Sequence, residues 1–503
     1  MDIFSSLMDG FAVAITPSNL LMAFIGCFLG TIIGALPGIG PSAGIAILIP
    51  VTFNLGLTPV SALIMLSSIY YGAMYGGRIS SILLNIPGDE PALMTCLDGY
   101  PMAQKGRAAD ALAIAAYSSF VGGTLATIGL TLFAPMLAKA AIYFGPAEYF
   151  ALYLMALATI GGVMGVNPAK TLLSGALGLV IATVGIDPST STPRYTFGFF
   201  ELFDGIHFIV MMVGLFAISE LLIYLETSHN PVKVERIYKV TASWRELWSM
   251  PASLRGSFWG FVSGILPGAG ASLGSYLAYV FEKRYSNKDD TFGKGDPRGI
   301  AAPEAGNNAA AGGAMIPMLT LGVPGSGTTA VLLAMLIGLN IQPGPLLFER
   351  QPDVVWGLIA SLYIGNVILL LLNVPLVGLF ARALMTPSWV LMPVIVIVSF
   401  AGVYGISHST FDLMLMTLFG IGGYILRKLD ISLVPMVLGA LLGGDMETNL
   451  RRALSISNGD WMVLIGSPLA FALNVITVTM LVVAFYFEFR RKSGKPHVAE
   501  ITD

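Results

Sequence analysis

Apolar runs long enough to cross a lipid bilayer recur from one end of the chain to the other. A membrane-spanning helix needs roughly 17 to 25 predominantly apolar residues, and such runs occur within residues 108–137, 148–166 and 206–225. Only 11% of the 503 residues are charged, whereas soluble domains carry about a quarter. The sequence therefore predicts an all-α polytopic membrane protein with roughly eleven or twelve membrane segments, some of them short or interrupted.

Three polar stretches divide and orient these segments. Residues 226–257, residues 282–299 and the C-terminal tail "RRKSGKPH" hold a large share of the Lys and Arg residues, so the positive-inside rule places them in the cytoplasm. The apolar segment between the first two stretches, residues 256–281, must then enter and leave the membrane on the same side. This predicts a re-entrant hairpin rather than a single crossing.

A motif in that hairpin repeats a motif near the N-terminus. The stretches "GALPGIGPSAG" at 34–44 and "GILPGAGASLG" at 264–274 agree at seven of eleven positions when aligned without a gap. Each is followed by a second matching stretch, "GGRISSILLNIPGDEPA" at 76–92 and "GGAMIPMLTLGVPGSGTTA" at 312–330. Breaks at corresponding positions of two halves are typical of secondary transporters.

The repeat divides the chain into four predicted regions. We expect a first transmembrane repeat at 1–225, a cytoplasmic linker at 226–255, a second transmembrane repeat at 256–450, and a final transmembrane helix with a basic cytoplasmic tail at 451–503. An odd number of crossings in each half would make the two repeats inverted. The cytoplasmic loops favour inversion.

The Pro/Gly breaks are suited to binding an anion together with a cation. Pro and Gly end one half-helix and start another within a few residues, and non-helical backbone at membrane depth is tolerated only where protein or a water-filled cavity satisfies it. The amides at a helix start attract a carboxylate by roughly 0.3–2 kcal/mol, while free carbonyls suit Na⁺. A single break would serve equally well as a kink or a close helix contact, but four breaks in two matched pairs favour a binding site. The predicted substrate-binding residues are Pro37, Gly38, Gly40, Ser42, Arg78, Pro267, Gly268, Gly270, Ser272, Gly325, Ser326 and Thr328.

Polar residues near the breaks are candidates for coupling to a cation. Arg78 lies in an apolar segment, where a central Arg costs roughly 2.5–3.5 kcal/mol on insertion scales. Four interpretations of it stay open: it clamps a substrate carboxylate, pairs with an acid such as Asp89, snorkels toward the membrane surface, or lies at an interface. Glu304 is interpreted as an interfacial acid. We expect Na⁺ or H⁺ as the coupling ion and no other cofactor. The predicted ion-coupling residues are Asn85, Asp89, Asn307, Asn308 and Thr329.

Several functional classes lack support in the sequence. The stretch "GVPGSGTT" at 322–329 has the glycine spacing of a phosphate-binding loop but Thr328 where the Lys belongs, so ATP hydrolysis is not expected. The two cysteines, Cys27 and Cys96, provide neither a disulfide framework nor a metal-spaced cluster. An intramembrane enzyme would need a nucleophile with a base, paired aspartates or a metal cluster, and none stands at a telling spacing. No nucleic acid partner is expected.

Several long motifs resemble one transporter family. The stretches "GALPGIGPSAG", "YGGRISSILLNIPGDEPALMTCLDGYPMAQKGR", "GILPGAGAS", "FGKGDPRGIAAPEAGNNA", "MLTLGVPGSGTTAVLLAML" and "NLRRALSISNGD" resemble the large membrane subunit (TctA-type) of the tripartite tricarboxylate transporters, and the likeness runs over nearly the whole chain. The resemblance implies a permease of the bacterial inner membrane. It also implies two partners: a small membrane subunit (TctB-type) and a periplasmic solute-binding protein (TctC-type).

The resemblance also implies a mode of transport. Uptake would be driven by an ion gradient, often Na⁺, and the usual substrates are citrate and other di- or tricarboxylates, although the family includes aromatic carboxylate systems. We therefore expect alternating access, with elevator and rocking motions both left open. A passive anion channel is the alternative, and an intramembrane enzyme is less favoured.

Overall fold

The computed structural model describes residues 3–36, 39–163, 167–187, 189–226, 249–268, 270–286, 290–384, 386 and 388–492. The chain is 81% helical. Within the described residues one short hairpin is the only sheet, with Gly185 paired to Arg194 and Ile186 to Pro193. The structure thus confirms the predicted all-α fold class.

The first half contains ten α-helices among its described residues, the longest of which is Ala108–Ala141. Residues 208–226 form one continuous helix through a π-helical segment, Val213–Ile218. A π-helical segment, Ala103–Arg107, and a 3-10 turn, Phe200–Leu202, complete this half. The regular elements are α1 Ile3–Ala14, α2 Pro17–Ala35, α3 Gly40–Asn54, α4 Pro59–Leu84, α5 Leu93–Met102, α6 Ala108–Ala141, α7 Pro146–Val163, α8 Pro168–Ala182, β1 Gly185–Ile186, β2 Pro193–Arg194, α9 Phe208–Met212 and α10 Ser219–Glu226.

The second half continues with helices only. Its elements are α11 Met250–Ile265, α12 Gly270–Ser286, α13 Pro297–Leu321, α14 Gly327–Gly338, α15 Leu347–Arg350, α16 Pro352–Asn373, α17 Val377–Ala383, α18 Ser388–Ser407, α19 Thr410–Lys428, α20 Val434–Ile456, α21 Val463–Gly466 and α22 Pro468–Lys492.

Among the described residues, six helices are both long enough and apolar enough to cross a membrane. Five shorter apolar helices accompany them, among them α3 and α14, which begin at the Pro/Gly breaks. Because those breaks divide apolar stretches into pieces shorter than a bilayer, length alone does not give the number of crossings. The chain is a multi-pass membrane protein, and the predicted count of eleven or twelve segments stays a prediction.

Close glycine contacts hold α2 against α4. A Cβ added to Gly30 would lie 2.3 Å from the carbonyl oxygen of Ile69, and one added to Gly34 would lie 2.1 Å from that of Ala73. Real Cβ atoms do not approach other atoms so closely, so only Gly fits at these positions. Small residues let helix backbones approach each other in this way within membranes.

The same arrangement holds α11 against α13. A Cβ added to Gly260 would lie 2.1 Å from the carbonyl oxygen of Gly306, and one added to Gly264 would lie 2.3 Å from that of Ala310. In the alignment of the two sequence motifs, these glycines correspond to Gly30 and Gly34. The two pairs of helices are therefore joined by matching contacts.

Each pair carries a third helix folded back beside it. A Cβ added to Gly44 of α3 would lie 2.4 Å from Ile33 of α2, and one added to Gly274 of α12 would lie 2.7 Å from Ser263 of α11. In both cases the two contacting residues lie on opposite sides of a tight turn. The helices Met250–Ile265 and Gly270–Ser286 thus pack as a helical hairpin between the two polar stretches, and its re-entrant course through the membrane stays a prediction.

The chain divides into two compact units. The first contains Met1–Ile142, Phe208–Leu266 and Gly270–Tyr424, and the second contains Tyr143–His207, Pro267–Ala269 and Ile425–Asp503. The units are assembled from distant stretches, whereas the four predicted regions are consecutive, and those boundaries stay predictions. Most of the predicted linker lies in residues 227–248, outside the described residues, and α11 begins at Met250 within its last part.

The second unit is built around α7, α8, α20 and α22. Close contacts join α8 to α20, because a Cβ added to Gly178 would lie 2.0 Å from the carbonyl oxygen of Met436 and one added to Gly439 would lie 2.4 Å from that of Gly175. At one end of this unit, Ser467, just before α22, donates a hydrogen bond to Glu148 of α7.

Candidate functional site

The turns of the two hairpins have the same backbone conformation where both are described. Pro37 and Gly38 lie outside the described residues. Gly40 and Gly270, which begin α3 and α12, have φ values of +61° and +65°, and Gly268 has a φ of +77°. Residues with side chains rarely adopt this region, so each turn requires Gly there.

The two interrupted helices also end in the same way. The helix α4 is capped by Asn85 with a φ of +58°, and α13 is capped by Gly322 with a φ of +68°. A left-handed residue commonly ends a helix, and Asn is the usual substitute for Gly there. Asn85 is exposed, and the structure gives it this capping position.

A glycine after each cap lies against the neighbouring hairpin. A Cβ added to Gly88 would lie 2.2 Å from the carbonyl oxygen of Gly34, and one added to Gly325 would lie 2.9 Å from that of Gly264. Each Pro-Gly break therefore touches the last glycine before the hairpin turn of its own half.

Hydrogen bonds link the breaks to one another, both within the second half of the chain and across the two halves. The Ser42 and Thr328 hydroxyl oxygens are 3.0 Å apart, and the Gly270 amide donates to the Gly325 carbonyl oxygen over 3.1 Å. The Ser272 hydroxyl donates to Glu90 over 3.2 Å. The structure thus brings together the predicted residues Ser42, Gly270, Ser272, Gly325 and Thr328.

The segment after Gly325 begins α14 with a capping box. The Thr329 amide donates to the Ser326 hydroxyl over 3.2 Å, and the Ser326 amide donates to the Thr329 hydroxyl over 2.8 Å. The Tyr70 hydroxyl lies 3.4 Å from the Ser326 hydroxyl. Ser326 and Thr329 are buried, so this helix start faces protein rather than lipid.

Asp89 accepts a similar hydrogen bond in the turn before α5. Its Oδ1 accepts a hydrogen bond from the Ala92 amide over 3.1 Å. Its Oδ2 is buried and has no hydrogen-bond partner among the described residues. A buried carboxylate oxygen without a donor is costly, so this oxygen is a candidate ligand for a cation or a site for a proton.

Two adjacent asparagines in the middle of α13 share this property. Asn307 and Asn308 are each 1% exposed. Neither polar atom of the Asn307 amide has a partner among the described residues, and the Asn308 Oδ1 likewise has none, while the Asn308 Nδ2 donates to the Glu304 carbonyl oxygen over 3.0 Å. Amide oxygens of this kind are suitable ligands for a hard cation.

Arg78 is fully buried and belongs to a polar network between helices. Its Nη1 donates to the Ser119 hydroxyl over 3.3 Å, and its Nη2 donates to Asn373 Oδ1 over 3.1 Å. The Ser119 hydroxyl donates in turn to Glu304 Oε2 over 3.0 Å, and Thr95 donates to Glu304 Oε1. Arg78 and Glu304 are thus opposite charges joined through one hydroxyl.

Sequence reasoning missed most of this network. Glu304 is fully buried, so its interpretation as an interfacial acid does not hold, because α13 is enclosed by other helices on all sides. The stretch "AAPEAGNNAAAGG" could have predicted the burial of Glu304, since a helix of Ala and Gly lets neighbouring helices pack closely on every face. Ser119 and Asn373 carried no such signal, because only the fold brings them to Arg78.

The breaks and the middle of α13 offer two kinds of binding group. The starts of α3, α12 and α14 present backbone amides, which favour a carboxylate. Asp89, Asn307 and Asn308 present buried oxygens, which favour a cation. No cluster of three or more His, Cys, Asp or Glu side chains suited to a metal ion occurs among the described residues.

Most of the chain matches one known protein family. Residues 20–438 match the family described as "Tripartite tricarboxylate transporter TctA family". The chain belongs to this family. TctA proteins are a family of transporters rather than of enzymes, so the chain is a membrane component of tricarboxylate transport.

Two relatives in Agrobacterium vitis agree with this assignment. The chain is 41% identical over 502 residues to "Uncharacterized 52.8 kDa protein in TAR-I ttuC' 3'region". The matched region covers 99% of this chain and 100% of the relative. It is 39% identical over 241 residues to "Uncharacterized protein in TAR-II ttuC' 3'region", and this matched region covers 48% of this chain and 100% of the relative. No solved structure matches the chain.

Proposed function

We propose that this TctA-family chain is the permease subunit of a binding-protein-dependent secondary transporter. It imports di- or tricarboxylates of the citrate type by symport with a cation, Na⁺ or H⁺, through alternating access. It acts in the bacterial inner membrane with a small membrane subunit and a periplasmic solute-binding protein, as the family implies. The observation that carries the proposal is the convergence of the breaks, in which Ser42 meets Thr328 and Gly270 meets Gly325.

The anion part of the proposal rests on the helix starts. Each terminus contributes only about 0.3–2 kcal/mol toward a carboxylate, so a polyanion needs several of them. The contacts between the breaks bring α3, α12 and α14 together at their N-terminal ends. A di- or tricarboxylate has the number of negative groups that such an arrangement favours.

The cation part rests on buried oxygens. Asp89 Oδ2, Asn307 Oδ1 and Asn308 Oδ1 have no hydrogen-bond partner among the described residues, and burial of such atoms is unfavourable unless something binds them. A cation there would offset the charge of the imported carboxylate. This supports symport over passive permeation.

The repeat supports alternating access. Gly40 and Gly270, which correspond in the two motifs, share one backbone conformation, and the caps Asn85 and Gly322 share another. We infer that the two halves are structural repeats, and we expect them to be inverted. When two such repeats surround one binding site, they can exchange conformations, so that the site opens to one side of the membrane and then to the other.

Uptake into proteoliposomes tests the proposal. Vesicles would contain this chain and its small membrane subunit, with the solute-binding protein outside, an inward Na⁺ gradient and no ATP. We expect labelled citrate, or another carboxylate from a panel, to accumulate above equilibrium, and the accumulation to vanish without the gradient or the binding protein. Replacing the Na⁺ gradient by a pH gradient distinguishes the two cations.

A passive anion channel is the alternative outcome. It would give flux that only equalises the carboxylate concentration and that ignores both the cation gradient and the binding protein. That result, obtained with any carboxylate of the panel, would contradict the proposed symport.

A further inference from the structure

One end of the second unit carries a group of exposed apolar side chains. The contacts of the unit define this end. Ser467, before α22, donates to Glu148 near the start of α7, and the β1–β2 hairpin after α8 binds the last half of α20 through Arg194. The starts of α7 and α22 and the ends of α8 and α20 therefore lie together, and we call this the hairpin end.

Charges identify the side of the membrane that the hairpin end faces. At the opposite end, Asn167 in the α7–α8 turn donates to Glu488 of α22, and Lys170 donates to the Leu429 carbonyl oxygen. More basic residues lie at this opposite end, namely Lys170, Arg427, Lys428, Arg490, Arg491 and Lys492, than at the hairpin end, which has Arg194, Arg451 and Arg452. By the positive-inside rule the opposite end is cytoplasmic, so the hairpin end faces the extracytoplasmic side.

An ion-pair cluster fixes the hairpin to α20. The Arg194 guanidinium donates two hydrogen bonds to the Glu447 carboxylate, over 2.9 and 3.2 Å. The Arg451 guanidinium donates to Asp187 over 2.8 Å and to Glu447 over 2.6 Å. The Ser189 amide and the Arg451 guanidinium together lower the pKa of Asp187 to about 2. The cluster is charged and partly exposed, so it lies at a level that water reaches.

Two apolar segments adjoin this cluster. The first directly follows Arg194 and includes Phe197 and Phe200, which are 82% and 80% exposed. The second follows the end of α20, where Ile456 and Trp461 are exposed. Ile456 comes five residues after Arg451, which is about 7.5 Å of helix rise. The first segment therefore leaves the charged level at Arg194 and returns to it at Phe203, whose carbonyl oxygen accepts a hydrogen bond from the Ile186 amide, while the second continues past the end of α20.

The position of the two apolar segments favours contact with a protein partner over contact with lipid. Charged groups are expensive in the hydrocarbon region, so side chains beyond the charged level extend past the lipid tails. Exposed apolar patches at such places mark interaction sites, and aromatic side chains are enriched in the energetic centres of interfaces. Tyr195 and Phe197 have φ values of +51°, a conformation that persists only where the surroundings hold it.

Acidic residues accompany the apolar segments. Glu201, Asp204 and Asp460 are exposed near them. Complementary charge in the rim of an interface raises the association rate and selects the partner. A partner with an apolar centre and a basic rim would fit this surface.

We propose that the hairpin end of the second unit is the docking surface for a water-soluble extracytoplasmic protein with an apolar face and a basic rim. The inference rests on the proposed function, in which a soluble binding protein delivers the carboxylate. It goes beyond that function by assigning the contact to Phe197, Phe200, Ile456 and Trp461.

A labelling experiment locates Phe197 directly. The Phe197→Cys variant would be labelled with bimane in right-side-out proteoliposomes and probed with aqueous iodide, with brominated lipids, and with the purified solute-binding protein of the same organism's tripartite system. We expect quenching by iodide, and shielding from iodide when that protein is added. Quenching by brominated lipids, or no shielding, would overturn the proposal in favour of a lipid contact or an unoccupied surface.

Paired substitutions test the same surface in the transport assay. Phe197→Ser with Phe200→Ser should raise the concentration of binding protein that gives half-maximal uptake at least tenfold, while the maximal rate is kept. Phe489→Ser is the matched control, because Phe489 is similarly exposed at the opposite end, and it should change nothing. If the wild type transports and the double variant matches it, the docking surface is wrong and the proposed function stands. If the label is shielded but the wild type shows no coupled uptake, docking stands and the proposed function fails.

Discussion

The two halves share their backbone geometry but differ in the charge at the breaks that follow α4 and α13. Asp89 accepts a hydrogen bond from the amide three residues later, over 3.1 Å, and Ser326 does the same over 3.2 Å. Asp89 follows the cap Asn85 at the same spacing as Ser326 follows the cap Gly322. One break is therefore acidic and the other neutral, although both are built in the same way.

This difference in charge fits a site in which one break binds the anion and the other binds the cation. The neutral break begins α14 with hydroxyl groups and a helix N-terminus, which favour an anion. The acidic break presents a buried carboxylate oxygen, which favours a cation. A duplicated backbone explains why both breaks lie at one place, and the difference in charge explains how such a site would hold a carboxylate together with its coupling ion.

The largest expected effect concerns the charges that join the two halves. Arg78→Met or Glu304→Met leaves the other charge buried without its counter-charge, which typically costs about 3–5 kcal/mol. We expect each single variant to lose folded protein in thermal unfolding of the detergent-purified chain. The double variant should recover part of the loss, since no lone charge remains.

Lys170→Met is the control for these variants. Lys170 lies 3.9 Å from a largely exposed Asp430, and such surface pairs contribute only about 0–1 kcal/mol. If Arg78→Met and Glu304→Met unfold at the same temperature as Lys170→Met, the network does not join the halves.

The next effect tests whether the two hairpins are packed alike. Gly34→Ala and Gly264→Ala each place a Cβ within 2.3 Å of a backbone carbonyl oxygen, and overpacking of this kind costs about 1–3 kcal/mol. We expect similar losses of thermal stability in both variants. Gly422→Ala is the control, because nothing lies within 4 Å of a Cβ there. A loss in only one of the two variants would break the correspondence between the halves.

The smallest effect concerns the hydroxyl pair between the breaks. Ser42→Ala and Thr328→Val each remove one partner of the contact at 3.0 Å, and a hydrogen bond of this kind contributes about 0.5–1.5 kcal/mol. We expect each variant to raise the half-saturating carboxylate concentration severalfold in the uptake assay. Because the two residues share one contact, the double variant should be weaker than the product of the single effects. Independent effects would show that the pair does not act together.

Part of this site was predictable because Pro and Gly restrict the backbone locally. The paired motifs at 34–44 and 264–274 predicted both hairpins, because only Gly tolerates the positive φ values that the turns require. The capping position of Asn85 was readable in principle, since Asn before a Pro-Gly break is a known helix end. Its prediction as an ion-coupling residue came from its polarity alone and stays untested.

The rest depends on contacts between residues far apart in the chain. Arg78 meets Asn373 across 295 positions, and Ser119 meets Glu304 across 185. No local pattern encodes such contacts, because they arise only when four separate helices pack. The second unit is also assembled from distant stretches, so the consecutive regions predicted from the repeat do not show it.

The most direct test of the account compares the two breaks in one uptake experiment. Carboxylate uptake would be measured against cation concentration for the wild type, Asp89→Asn and Ser326→Ala in proteoliposomes with the partner subunits. The account predicts that Asp89→Asn removes the dependence on the cation, whereas Ser326→Ala raises the half-saturating carboxylate concentration and keeps the cation dependence. If both variants change the same quantity, or if Asp89→Asn leaves the cation dependence intact, the two breaks do not divide anion and cation between them.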